Sequence, residues 1–435
     1  MKKNIIRAAA LAVAGTMAIS MTACSGNPKK SEGFSPRLDT EKSVTLEIAG
    51  FFGNFEALDQ VVNNFNELYP NVTISYEQSG STQLREYLQN NPHTDIFMTA
   101  DSNVRGEKGD GDVLDYCADL LAEDIDLSAF KEGILDSCKV DGKLVRIPMS
   151  ENLNGMAVNK TLLEKEGLSV PTNYSEFLSV LSALKEKGYT PIQGAETHVY
   201  SCLVINMALS EIGNDSRLLE ALNNGDEYAV EKFTEIFGKI GELVDNGYTS
   251  HEVNSTYPDD NYDGAILSFF EGDVPFWICD SESVSGMKKR ESKSESFSAD
   301  PFEYEFMSVP VGENGTFDYY EPWYGFSVNK DSDAYDYAVE FIRFLATEDQ
   351  MNTMAEIKGV PSAVEGSSDS RYAWFEGSHK TEQSYTNDGT IMTYITSHFT
   401  NISNSFGKGE IGSAEEAARE FVSRCSNVAV QMSNS

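Results

Sequence analysis

From Ser43 onward, short β-branched runs alternate with stretches whose apolar residues recur every three and four positions, and this rhythm restricts the fold more than any other feature. Ser43–Ala49 reads as a strand. Asn54 can cap a helix whose stripe is Phe55, Leu58, Val62, Phe65 and Leu68, and Pro70 ends it. Val72–Tyr76 is the next strand, Ser81–Leu88 a helix and Asp95–Thr99 a third strand. Such strand–helix–strand units build mostly parallel sheets flanked by helices, because the crossover helix returns the chain to the same end of the sheet.

The rhythm resumes after Pro148. Leu153–Val158 reads as a strand and Asn159–Glu166 as a short helix, and Asn173 with Glu176 has the spacing of a capping box for a helix carrying Tyr174, Phe177, Leu181 and Leu184. Val199–Ile212, Glu227–Asp245, Asp333–Thr347 and Ala414–Ser426 read as further helices, Val274–Cys279 as a buried strand, and Met287–Asp300 as a loop. No internal repeat is visible. At roughly 150 residues per domain the length allows two or three units, and the pattern favours an α/β chain of two lobes.

The 435 residues carry a net charge of −36. That balance excludes nucleic acid as a partner, since a phosphate-binding surface needs clustered Lys and Arg. The one basic run outside the N-terminus, Lys288-Lys289-Arg290, reads as a solvated surface loop. Residues 1–23 read as an export signal: Lys2, Lys3 and Arg7 precede a short apolar stretch, Ala8–Ile19, which falls below the ~20 residues a membrane span needs. Met21-Thr22-Ala23-Cys24 resembles the lipobox of bacterial lipoproteins, which implies cleavage before Cys24 and acylation of its thiol, leaving a chain of net charge −39. Ser25–Thr40 then reads as a flexible tether. The other five cysteines (Cys117, Cys138, Cys202, Cys279, Cys425) are odd in number and widely spaced, which is no disulfide framework; Cys117 and Cys138 are the one local pair to test.

Ligand sites in α/β sheets lie beyond the carboxyl ends of strands. The loops at those positions carry Phe51 and Phe52, Asp101, and Asp280 with Glu282, and a further aromatic cluster holds Trp323 and Tyr324. Flat rings beside carboxylates suit a sugar, whose C–H faces stack while its hydroxyls donate to carboxylate oxygens. Catalytic and metal signatures are poor by comparison. The histidines are scattered, Ser285-Gly286-Met287-Lys288 lacks the partner motifs of penicillin-interacting enzymes, and Asp259-to-Gly264 starts a calcium loop that has Phe270 where the bidentate Glu belongs. No cofactor or metal is expected.

The stretch Ile147-Pro148, Asn159-Lys160 through Gly167-Leu168, Val170-Pro171-Thr172 to Glu176-Phe177, and Lys187-Gly188-Tyr189-Thr190-Pro191-Ile192 resembles, in order and spacing, the family 1 extracellular solute-binding proteins of ABC sugar importers, related to maltose-binding protein. Tyr69-Pro70-Asn71-Val72, Phe270-Glu271-Gly272-Asp273 and Gly359-Val360-Pro361-Ser362 are collinear with the same pattern. The resemblance implies a monomer with an N-terminal lobe of residues 42–148 plus 327–361 and a C-terminal lobe of 153–321 plus 367–430. Hinge crossovers would lie near 149–152, 322–326 and 362–366. It further implies closure on a small solute, carbohydrate first, and delivery to membrane permease subunits. The family's Trp after the Cys279 strand is Glu282 here, which favours hydroxyl-rich or cationic ligands on that wall, and Tyr200 falls where relatives place a second-lobe aromatic. The ligand-binding expectation is thus Phe51, Phe52, Asp101, Tyr200, Asp280, Glu282, Trp323 and Tyr324. A secreted glycoside-active enzyme, or a surface scaffold that no longer closes on ligand, are the rival readings.

Overall fold

The computed structural model describes residues 34–105, 112–131, 133–196, 198–256, 262–365, 370–376, 380–385 and 389–433. Cys24 and its lipobox lie outside them. In the first sheet Val44–Gly50 runs parallel to Val72–Gln78 on one side and to Ile96–Thr99 on the other, with Ile48 facing Ile96. Gly325–Val328 adds antiparallel to Ile96–Thr99, and Ile147–Pro148 antiparallel to that. The second sheet places Asn154–Asn159 between Tyr304–Met307 and Phe276–Asp280, antiparallel to both, with Ile192–Gly194 parallel to Phe276–Asp280. The parallel pairs are those linked by helical crossovers. The strand that enters each sheet from the other lobe, Gly325–Val328 in the first and Asn154–Asn159 in the second, runs against its neighbours, so both sheets are mixed.

Two large apolar cores result, with a small third cluster of Ala49, Leu84, Leu88, Phe97 and Val113 on the first lobe. One gathers side chains from Leu46 to Met149 and from Trp323 to Val364; the other gathers Leu153 to Tyr320 and Tyr372 to Cys425. In the first, the Glu56–Leu68 helix turns Leu58, Val61, Val62 and Phe65 inward, and Glu56 and Asp59 in its first turn suit the positive end of the helix dipole. Asn54 is not its cap. The Phe55 ring is buried against Tyr76 and Phe326 and so takes the cap position, while Asn54 Nδ2 donates to Glu56 Oε1 at 3.2 Å. In the second core, Asn159 and Asn173 cap their helices by accepting from Leu162 N and Glu176 N at 2.9 and 3.0 Å. The Glu176 carboxylate reaches one residue further back than a capping box needs, accepting from Thr172 N and Oγ1. Val199–Asn214 is buried on nearly every face and runs through the middle of the lobe, against Glu227–Asp245 and Gly389–Gly407.

Three expectations need correction. Met287–Asp300 is not a loop: Ser281–Glu291 and Glu295–Ala299 are helices, capped by Asp280 and Ser294. Val284 and Met287 are buried and seat the first of them, while Lys288, Lys289 and Arg290 occupy its last turn, where the helix dipole favours cations. Residues 34–42 are packed rather than a free tether. Phe34 meets Phe344 edge-on at 5.0 Å beneath the Arg343 guanidinium, and the Arg37 amide donates to Glu340 at 3.0 Å. The last helix runs on to Ser433. Cys117, Cys138, Cys202, Cys279 and Cys425 all carry free thiols. Among the described residues no helix is long and apolar enough to cross a membrane.

Candidate functional site

The chain passes between the lobes in segments that bond to one another side by side. Met149 N donates to Tyr324 O at 2.8 Å, Trp323 N to Ser150 O at 2.9 Å and Glu151 N to Pro361 O at 3.1 Å. Ser150 forms an antiparallel bridge with Ser362, and Glu151–Asn152 pairs with Glu321 and Pro322. The third expected crossover, near 362–366, adjoins residues 366–369, which lie outside those described.

Four of the five aromatic residues expected from sequence, Phe51, Phe52, Trp323 and Tyr324, come together here. The Phe51 ring lies 5.2 Å from Tyr324, Phe52 lies 5.8 Å from both Trp323 and Tyr324, and Trp323 and Tyr324 are 4.7 Å apart. The turn after the first strand supplies Phe51 and Phe52, and the crossover between Thr316–Pro322 and Gly325–Val328 supplies the other pair. Phe51, Phe52 and Tyr324 remain half-buried, whereas Trp323 keeps only 8 % exposure. Lys358, the last residue of the Glu348–Lys358 helix, places its Nζ 3.9 Å above the Phe52 ring and 5.6 Å from Trp323.

Carboxylates lie near this cluster: Glu282 and Asp280 act on Tyr324, and Asp280 and Asp101 act on Glu321. Asp101 accepts from the guanidinium of Arg146, which is fully buried, and lies 4.0 Å from Arg105 Nε. Glu321, on the crossover, accepts from Asn152 Nδ2 at 2.8 Å, and Asn152 Oδ1 accepts from Ser281 Oγ at 3.2 Å. Burial first, then the nearby charges of Asp101 and Asp280, push the Glu321 carboxyl up to about 7 against the opposing Asn152 bond. Glu282 is likewise pushed up to about 7, by burial and then Asp280, with Lys358 opposing. Burial, with Glu282 and Asp280 adding, raises the Tyr324 phenol to about 12. Asp280 itself accepts from Ser283 N and Oγ, both at 2.8 Å, and so caps its own helix.

Tyr200 does not join them. Its ring has no exposure, because it starts a helix buried on all sides, and it lies so close to Gly407 that a Cβ there would meet the ring at 2.3 Å. Tyr200 is a core residue. The Ser285 hydroxyl donates to Glu282 O in its own helix, and Asp263 pairs with Arg290 and Lys293, so neither serves the motif it resembles; Asp259 and Asn261 lie outside the described residues. Arg146, Asn152, Glu321 and Lys358 belong to the site and were not singled out from sequence. A charge within the apolar run Leu144–Met149 could have flagged Arg146, and an acid within Tyr319–Tyr324 could have flagged Glu321. Lys358 reads as an ordinary helix C-terminal cation. The arrangement offers ring faces, acceptor oxygens and the Lys358 ammonium. A larger depression of about 730 Å³, on the first lobe by Arg85, Asp115 and Lys330, touches none of these residues.

A family model described as bacterial extracellular solute-binding protein matches residues 60–382. A probable sugar-binding periplasmic protein of Rhizobium meliloti (strain 1021) is 26% identical over 164 residues, 35% of this chain and 37% of that protein. The multiple sugar-binding protein of Streptococcus mutans is 21% identical over 247 residues, covering 55% of this chain and 56% of its own length. The chain thus spans from about a third to just over half of these curated relatives. Among solved structures, the sugar-binding protein MalE of Xanthomonas citri superposes with a TM-score of 0.70 at 16% identity, over 89% of this chain and 98% of that one.

Proposed function

Since the chain belongs to the bacterial extracellular solute-binding proteins, we propose that it captures a sugar or oligosaccharide between its lobes and delivers it to the permease subunits of an ABC importer. In this reading it works as a monomer outside the cytoplasm, held to the membrane by acylation of Cys24. A single acyl chain binds a membrane weakly, so a stable anchor needs more than one on that cysteine. The bodies that move are residues 42–148 plus 327–361 and residues 153–321 plus 367–430, and no bond is made or broken.

The observation that carries the reading is the convergence of Phe51, Phe52, Trp323 and Tyr324 with Asp101, Asp280, Glu282 and Glu321 where the crossovers lie side by side. The rings supply stacking faces for pyranose C–H groups, and the carboxylates accept from hydroxyls. A ligand bound at ~1 μM supplies ~8 kcal/mol, enough to favour closure when its contacts exist only with the lobes together.

Titrating the purified chain with a panel of oligosaccharides, followed by calorimetry and small-angle scattering, tests this. A sugar that binds and compacts the molecule is expected, and Trp323→Ala weakens the best member by roughly tenfold or more. Release of hydrolysed product, or no compaction with any sugar, overturns it.

A further inference from the structure

A depression of about 430 Å³ opens between the lobes, lined by both Glu282 and Lys358. Asn54, Glu56 and Lys358 line it from the first lobe, and Glu282, Ser285 and Lys289 from the second. We propose that this gap is an anion subsite, in which an acid group carried by the sugar, a uronate carboxylate or a phosphate ester, is held between Lys289 of one lobe and Lys358 of the other. The proposal rests on carbohydrate capture and names the class of sugar captured.

Three observations converge on it. The first is the arrangement of charge. Lys289 and Lys358 are ammonium groups on different lobes that line the same gap; burial lowers the affinity of Lys358 for its proton, Glu282 opposes that, and Lys289 adds to it. Neither makes a salt bridge among the described residues, whereas Arg290, the next residue, is engaged by Asp263. Glu282 attracts Lys358 more strongly than Lys289 repels it, so when that carboxyl takes up a proton the two cations lose an opposing charge that an incoming anion can replace.

The second is position. The Lys358 ammonium already sits 3.9 Å over the Phe52 ring and 5.6 Å from Trp323. A pyranose stacked on those rings displaces it from the ring face, and an acid substituent on the sugar gives it a partner in the same step.

The third is the state of the intervening carboxylate. Glu282 is the acid that faces Lys358, and burial with Asp280 behind it pushes it up to about 7. The other charged or titratable groups around it are Tyr324 on the crossover, Lys288, Lys289 and Arg290 on its own helix, of which Arg290 is engaged by Asp263, Arg371, which donates to Val284 O, and Glu56 and Glu356, both exposed at the rim. Protonating Glu282 removes the charge that competes with an incoming anion, so acid sugars bind more tightly as pH falls through about 7.

Matched pairs test this: glucuronate against glucose, cellobiouronate against cellobiose, and glucose 6-phosphate against glucose, by calorimetry on the purified chain. The acid member of at least one pair is expected to bind roughly tenfold or more tightly than its neutral partner; which acid does so separates the carboxylate source from the phosphate ester. Lys289→Gln, at an exposed position, erases the preference, and Lys143→Gln on the first lobe leaves it intact. For the carboxylate pairs, whose acid group stays ionised over this range, the preference grows between about pH 8 and about pH 6 and becomes flat in Glu282→Gln. Equal binding of acid and neutral members, a preference that survives Lys289→Gln, or the opposite pH slope overturns the proposal. Neutral sugars that bind and compact the chain while acids are refused remove the subsite and leave sugar capture standing. No binding by any member removes the subsite, and absence of compaction across the wider oligosaccharide panel removes sugar capture as well.

Discussion

Glu321 bridges Asn152 and the charges of both lobes, and its raised proton affinity has a consequence for stability that can be signed. An unfolded glutamate titrates near its ordinary value of 4.5, whereas the folded one titrates at about 7. Between those values the folded state binds more protons than the unfolded state, so this group's contribution falls as pH rises through the window and is least favourable above about 7. Glu321→Gln keeps an acceptor for Asn152 and removes the charge. The variant is expected to match the parent near pH 5 and to exceed it by about 1 kcal/mol near pH 8, a figure reduced for solvent screening of a half-buried group. Urea denaturation at both pH values measures it, and a parent at least as stable as the variant near pH 8 would rule out the assignment. At this scale, what could be read from sequence was what is local. Asn159 and Asn173 cap because their acceptors and donors lie three residues apart. Arg146 and Asp101 are 45 positions apart in sequence, so no spacing pattern links them.

Helices with a clean stripe were legible along most of their length. Phe65, Phe177 and Phe341 each fall on the inward face that periodicity assigns them. The Ser281–Glu291 helix was missed because its composition is polar and only Val284 and Met287 provide an apolar footing among its bulkier residues. Aromatic richness also misleads when the element is buried all round, as with Tyr200: periodicity cannot choose a face for a helix that has no outer one. Phe34 packs on Phe344, the Arg37 amide bonds Glu340, and Tyr337 Oη donates to Asp39 O at 2.9 Å. A chain starting at Lys42 loses those contacts and opens the pocket holding the buried Glu340, which also accepts from Tyr69 Oη and Arg343. It is expected to lose about 2–3 kcal/mol, read as a lower denaturation midpoint; an unchanged midpoint would show that the segment lies on the lobe without stabilising it.

At the scale of the whole molecule, the strand–helix alternation was enough to give an α/β fold of two lobes. It could not give strand direction at the returns, because Gly325–Val328 and Asn154–Asn159 are placed by the passage between lobes and not by their neighbours in sequence. The lobes meet again at Gly359. Its φ of +72° ends the Glu348–Lys358 helix, its carbonyl accepts from Tyr372 Oη at 3.1 Å, and a Cβ there would stand 2.7 Å from Arg371 Nη2 and 3.7 Å from Ser285 Cα. Gly359→Val is therefore strained in backbone and presses directly on the second lobe. It is expected to lower stability by about 1–2 kcal/mol, to enlarge the radius measured by scattering, and to weaken sugar binding. A compact variant with unaltered affinity would mean that this contact does not hold the lobes together.

Because Phe34 to Asp39 are stitched to the first lobe alone, any mooring at the N-terminus takes hold of one jaw and not the other. Under the proposed closure, a tether at that end would leave the second jaw free to swing while the first keeps its bearing.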